Sequence, residues 1–153
     1  MLKPILLVED NPHDLELSLV ALERSNLSNE VIVVRDGSEA LDYLFRRNAH
    51  AGRDEGNPAV LLLDLKLPKV NGLEVLAELK KSQHLRSIPV VMLTSSREEP
   101  DLDAAYQLGV NAYVVKPVNF KEFVGAITDL GIFWAVLNEP PSGSTRVVRR
   151  PRA

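Results

Sequence analysis

The chain has 153 residues, 45% hydrophobic and 25% charged, which suits one domain large enough to bury a core. It contains no cysteine, which excludes disulfides, thiolate metal sites and thiol nucleophiles and leaves oxygen or histidine to hold any metal, so a hard cation is the natural candidate. Net charge is −3, but residues 138–153 carry +3 (Arg146, Arg149, Arg150 and Arg152 against Glu139), leaving −6 on the body and arguing against nucleic acid as the main partner.

In chain order, "PILLV" (4–8) is the first predicted strand, closing on Glu9 and Asp10. This opening is too short and runs too soon into charge to be a secretory signal or a membrane span, so a cytoplasmic protein is expected. Leu15, Leu19 and Leu22 recur at helical spacing before "VIVV" (31–34), and Ala40, Leu41 and Leu44 mark the second helix. "RRNAHAGRDEGNP" (46–58) mixes charge, glycine and proline and reads as a long exposed loop. "AVLLL" (59–63) is continuously aliphatic, the pattern of a parallel strand covered on both faces, and it runs into Asp64. A helix with Leu73, Leu76 and Leu79 follows. Next come "IPVVML" (88–93) ending in Thr94 and Ser95, a helix with Leu102, Ala105 and Leu108, "AYVV" (112–115) ending in Lys116, and a last helix with Phe120, Phe123, Val124, Ile127 and Leu130. Strand alternating with helix throughout predicts an α/β protein with right-handed crossovers, a doubly wound parallel sheet and helices on both faces.

Asp64 is the residue that asks for an explanation. A carboxylate at a strand's carboxyl end is either a functional group or the cap of the next helix, but Pro68, Asn71 and Gly72 interpose loop residues that leave it too far upstream to cap. In a parallel sheet the strand ends bearing Glu9 and Asp10, Asp64, Thr94 and Ser95, and Lys116 all lie on one edge, where the groups can converge. Carboxylates at close quarters raise one another's pKa unless a cation is present, and Mg²⁺ favours oxygen ligands. Asp10 and Asp64 are therefore the expected direct ligands, with Glu9 acting through a coordinated water. Lys116 supplies a fixed positive charge and Thr94 a hydroxyl, both suited to phosphoryl oxygens, and Asp64 is the candidate nucleophile because an ionised carboxylate can form an acyl phosphate.

With these residues in place the sequence resembles the receiver domains of two-component response regulators over roughly residues 4–137. "LLVEDN" is similar to that family's acidic pair, "LLLDLKLPKVNG" to its phosphoacceptor strand and loop, "VVMLTSS" to its hydroxyl strand, and "AYVVKPV" to its lysine and following proline. The resemblance implies a flavodoxin-like (βα)5 fold with strand order 2-1-3-4-5. It also implies a phosphoryl group taken by Asp64 from a sensor histidine kinase, and Mg²⁺ held by Asp10, Asp64 and the backbone carbonyl of Lys66. Thr94 and Tyr113 would form a switch pair, Lys116 and Pro117 a cis peptide, and the Lys66 side chain and Ser96 would tune phosphoryl lifetime. His13 is expected to be solvent-exposed, since Mg²⁺ has little use for imidazole.

About twenty residues follow Leu130, too few for a DNA-binding module, so output is expected through protein contact, phosphoryl relay or a phosphate-sink role. "GIFWAVLNEPP" (131–141) places six consecutive apolar residues, 132–137, on an extension of the last helix, more than one helix face can bury. The receiver body is accordingly expected over 1–137 and a flexible basic tail over 138–153. A homodimer through the fourth helix, fifth strand and fifth helix is expected, with Phe133, Trp134 and Leu137 among its contacts. The long loop and the Phe-Trp ending also resemble the single-domain regulators that partner bacterial phytochromes, which implies a bacteriophytochrome as kinase. Two rival readings are a small Mg²⁺-dependent phosphohydrolase with an aspartyl-phosphate intermediate and a nucleic-acid binder using the arginine tail. The first lacks a second acid two residues beyond Asp64, where Lys66 stands.

Overall fold

The five apolar stretches become five parallel strands in a computed structural model that describes residues 3–24, 29–53, 56–95, 100–129 and 148–149. Strands β1 (Ile5–Val8), β2 (Val31–Val34), β3 (Val60–Asp64), β4 (Val90–Thr94) and β5 (Ala112–Val115) alternate with helices α1 (Pro12–Arg24), α2 (Gly37–Phe45), α3 (Gly72–Lys81), α4 (Pro100–Gln107) and α5 (Phe120–Asp129). They run in the order β2-β1-β3-β4-β5, the doubly wound flavodoxin-like order. A two-residue strand, β6 (Val148–Arg149), pairs in parallel with the outer edge of β2. It falls inside the segment whose composition reads as a flexible tail. The open N–H and C=O groups of an edge strand give such a stretch somewhere to pair.

Alternation along the strands sorts the core into two layers, because successive side chains leave a strand on opposite faces. Ile5 and Leu7, Val60 and Leu62, Val91 and Leu93, and Val114 pack with Leu15, Leu19 and Leu22 of α1 and with Phe123 of α5. Leu6 and Val8, Leu61 and Leu63, and Val90 and Met92 pack with Leu41 and Leu44 of α2, Val75, Leu76 and Leu79 of α3 and Ala105 of α4. The central strands β1, β3 and β4 are buried on both faces, as continuous aliphatic runs require, whereas the edge strand β5 is half-buried apart from Val114.

Four of the helices begin the same way. Asn11, Asp36, Asn71 and Asn119 each accept the backbone N–H three residues on, from Asp14, Glu39, Glu74 and Glu122 respectively. Each N-cap satisfies an otherwise orphaned donor, and the acid at the third helical position complements the positive end of the helix dipole. Asn71, not Asp64, is therefore the cap of α3.

The loop between β3 and α3 is pressed against its surroundings at two glycines. A methyl group on Gly72 would fall on the carbonyl oxygen of Asp64, and one on Gly37 would fall on the carbonyl oxygen of Val70. The Gly72 N–H donates to the Leu65 carbonyl at 3.0 Å, closing the loop beneath Asp64. Asp36, capping α2, also pairs with Lys69 at 3.6 Å.

The 46–58 connection is more ordered than its composition suggests. It contains a 3₁₀ turn at Asn48–His50, and Arg53 folds back so that its guanidinium donates to the carbonyls of Tyr43 (2.7 Å) and Gly56 (2.9 Å). The guanidinium also lies 4.2 Å from the centre of the Tyr43 ring. It thereby adds a second donor to the Tyr43 carbonyl, which also accepts the Arg46 N–H at 3.2 Å, and reaches the Leu44 carbonyl at 3.4 Å, two carbonyls in the last turn of α2. Among the described residues no helix is long and apolar enough to cross a membrane.

Candidate functional site at the carboxyl edge of the sheet

The alternation that builds the core also aims the charged groups. Glu9 continues the parity of Ile5 and Leu7, Asp64 that of Val60 and Leu62, and Lys116 that of Ala112 and Val114, so all three belong to the α1/α5 side of the sheet. The ladder carries them beyond the formal strand ends: the Glu9 N–H donates to Val34 O at 3.1 Å, Leu65 N–H to Leu93 O at 2.9 Å, and Lys116 N–H to Thr94 O at 2.7 Å. Thr94 and Tyr113 have the opposite parity, shared with Val90 and Met92, and so belong to the α2/α3/α4 side.

The structure brings the carboxylates of Glu9, Asp10 and Asp64 together, with one oxygen of each within 4.8 Å of the others. Glu9 is fully buried and Asp64 nearly so, at 5% exposure, whereas Asp10 is half-buried. Lys116 enters from β5: its Nζ lies 2.9 Å from Asp64 Oδ2, 2.9 Å from Glu9 Oε1 and 3.1 Å from Asp14 Oδ2. The contacts to Asp64 and Asp14 are formed hydrogen bonds. The Glu9 contact is an ion pair whose angles leave the buried Oε1 without a hydrogen-bond donor, while Oε2 accepts the Asn11 N–H at 3.3 Å.

Burial pushes the Glu9 carboxyl up to about 8; hydrogen bonding with Asp64 and repulsion from its charge act in the same direction, and Lys116 opposes them. Burial by itself lowers the ammonium pKa of Lys116, but the bonds to Glu9 and Asp64 outweigh it and leave it above its ordinary value. A donor set made wholly of carboxylate oxygens, crowded together and largely shielded from water, is what a hard divalent cation fits.

A cleft of ≈ 230 Å³ opens onto the group, lined by Asp10, Asn11, Asp14, Asp64, Leu65, Lys66, Ser95 and Lys116. The Lys66 side chain is exposed, and its backbone N–H donates to Asp64 Oδ1 at 3.3 Å. Thr94 is buried at the end of β4, and the residue after it, Ser95, lines the cleft. Tyr113 is half-buried and meets the exposed Tyr106 of α4 edge to face, centroids 6.1 Å apart. The Lys116–Pro117 peptide is cis. His13 is exposed. Ser96, Phe133, Trp134 and Leu137 lie outside the described residues.

Asp14 is the site residue that sequence reasoning passed over. Its signal was present: it stands four residues before Ser18 and seven before Ala21, on the buried stripe of α1, where an acid needs a partner.

The response regulator receiver domain profile matches residues 5–128, and the chain belongs to that family. Bacteriophytochrome response regulator RtBRR is 76% identical and superposes with a TM-score of 0.86 over 94% of this chain and 87% of that one. Bacteriophytochrome response regulator AtBRR is 68% identical, with a TM-score of 0.83 over 91% of this chain and 99% of that one. Response regulator Rcp1 of Synechocystis sp. is 41% identical over 132 residues, 86% of this chain and 88% of its own. The Mn²⁺-bound form of Rcp1 superposes with a TM-score of 0.70, 39% identity and coverage of 94% and 98%. The chain is thus a response regulator related to those of phytochrome systems.

The raised Glu9 pKa sets a direction for stability. Without metal the native state keeps a proton on Glu9 that the unfolded chain gives up, so stability contributed by protonated Glu9 is fully present below about pH 4.5 and is lost as pH rises through about 8. Urea titrations of the metal-free protein between those values are expected to show this decline, and Glu9→Gln is expected to flatten it; an unchanged slope in the variant contradicts the assignment.

Proposed function

We propose that Asp64 is the phosphoacceptor, receiving a phosphoryl group from a histidine kinase, and that Asp10, Asp64 and the backbone carbonyl of Lys66 hold Mg²⁺, with Glu9 joining through water. The observation that carries this reading is the gathering of Glu9, Asp10 and the Lys116 ammonium around the nearly buried carboxylate of Asp64 at the mouth of a cleft. The cation, when bound, supplies Lewis-acid neutralisation of phosphoryl charge. The protein's own groups do the rest. Asp64 presents an ionised oxygen as nucleophile, Lys116 offers a fixed positive charge for the charge developing on the phosphoryl oxygens, and Thr94 a hydroxyl donor from the adjacent strand. In the same reading Thr94 and Tyr113, on the face opposite the carboxylates, carry the change outward, the hydroxyl moving toward the phosphoryl group and the ring turning in; the Lys66 side chain and Ser96 adjust phosphoryl lifetime.

The phosphohydrolase reading finds no support: an exposed lysine, Lys66, occupies the position where a second acid would be needed. The protein is read instead as a cytoplasmic acceptor that passes on a signal by contact, its body spanning 1–137 and its basic tail 138–153. The likeness to RtBRR and AtBRR supports a bacteriophytochrome as the kinase. Pairing of two copies through α4, β5 and α5 belongs to the same reading, supported by Tyr106, an exposed aromatic on α4 packed against Tyr113 of β5.

Intact mass after treatment with acetyl phosphate and Mg²⁺ tests the acceptor. One phosphoryl group is expected on the parent and none on Asp64→Asn, whereas equal uptake by the variant would move the acceptor elsewhere. Sedimentation of the parent and of Tyr106→Glu tests the pairing: a dimer weakened at least about tenfold by the buried charge is expected, and a parent that sediments as a monomer, or a dimer indifferent to the change, removes this interface.

A further inference from the structure

We propose that Asp14 is a positioning residue for Lys116, holding one N–H of its ammonium so that the other two stay aimed at the group carried by Asp64. This rests on the reading of Asp64 as phosphoacceptor and goes beyond it. An ammonium has three N–H donors, and here three carboxylates surround it: Asp64 at 2.9 Å, Glu9 at 2.9 Å and Asp14 at 3.1 Å. Two of these, Glu9 and Asp64, belong to the oxygen cluster suited to a divalent ion; Asp14 does not. Once a cation draws on Glu9 and Asp64, and Asp64 itself is converted to an acyl phosphate, Asp14 is the carboxylate of the three whose charge still belongs to Lys116 alone.

Asp14 is built to stay in place. Its backbone N–H is bonded at 3.0 Å to Asn11 Oδ1, which caps α1, and the Asn11 N–H reaches Glu9 Oε2, so the acidic strand end and the first turn of α1 form one tether. Leu15, Ser18, Leu19 and Leu22 pin the helix to the sheet. The lysine stem is long and flexible, and its charge is useful to a transferring phosphoryl group only when held within hydrogen-bond reach.

The test uses the full chain and Asp14→Ala, a substitution that a partly exposed first-turn position accommodates. Three quantities are read: the ¹⁵N-edited NMR signal of the Lys116 ammonium with saturating Mg²⁺, the Mg²⁺ affinity by calorimetry, and the single-turnover rate of phosphorylation by acetyl phosphate. The parent is expected to show a protected Lys116 signal that Asp14→Ala loses, with Mg²⁺ affinity within about threefold of the parent and a phosphorylation rate roughly ten- to a hundredfold lower. A Lys116 signal that survives in the variant, a rate within about twofold of the parent, or a Mg²⁺ affinity that falls in step with the rate overturns the proposal. If the parent itself takes no phosphoryl group, the acceptor reading fails; the ammonium signal, which needs no phosphorylation, still decides whether Asp14 holds Lys116.

Discussion

An ammonium group held among three carboxylates is the constraint around which this sheet edge is arranged. Glu9 and Asp64 are both shielded from water, and two ionised carboxylates at that distance and burial repel strongly unless a positive charge lies between them. Lys116 provides it, with its side chain only 14% exposed and its three neighbours at 2.9–3.1 Å. Burial first, and then the neighbouring Asp64, raise the Glu9 pKa further than Lys116 lowers it, so one lysine does not fully compensate the buried acid, and a proton or a divalent cation can make up the difference. A site that must choose between these two states is one whose charge, and so whose environment at Asp64, responds to what binds.

The two faces of the sheet divide the work. Glu9, Asp64 and Lys116 share the parity of residues packed on α1 and α5, while Thr94 and Tyr113 share that of residues packed toward α4. Thr94 sits on β4 next to Val115 of β5, and Tyr113 on the same strand touches Tyr106 at the surface of α4. In the proposed function, a charge change at Asp64 would be felt through the β4 end by groups on the opposite face, whose aromatic neighbour is exposed to a partner. The loop beneath Asp64 is held rigidly enough for such a change to matter, since Gly72 and Gly37 allow backbone-to-backbone approach that any side chain would block.

Much of this was legible in the residues. The five strands could be read because parallel strands buried on both faces leave uninterrupted aliphatic runs, and their polar ends could be placed on one edge from topology alone. Reading strand parity past the last apolar residue would have gone further, since 5-7-9, 60-62-64 and 112-114-116 fall on one face. The same is true of the capping pattern, an Asx followed three residues later by an acid at positions 11, 36, 71 and 119. Other features were hidden because they depend on distance in sequence. The bond between Asp14 and Lys116 joins residues 102 apart, and the fold-back of Arg53 onto the last turn of α2 turns an apparently loose loop into a cap. Composition describes what a segment tends to do alone, and these two residues act on what the rest of the fold places beside them.

Removing the central cation tests the electrostatic balance most directly. Urea unfolding of the parent and of Lys116→Met, with and without Mg²⁺, at a pH above the Glu9 pKa, isolates its contribution. Lys116→Met is expected to cost about 3–5 kcal/mol in the absence of metal, because it leaves buried carboxylates without their partner, and Mg²⁺ is expected to restore a large part of that loss. A metal-free variant as stable as the parent would show that the carboxylates do not depend on Lys116.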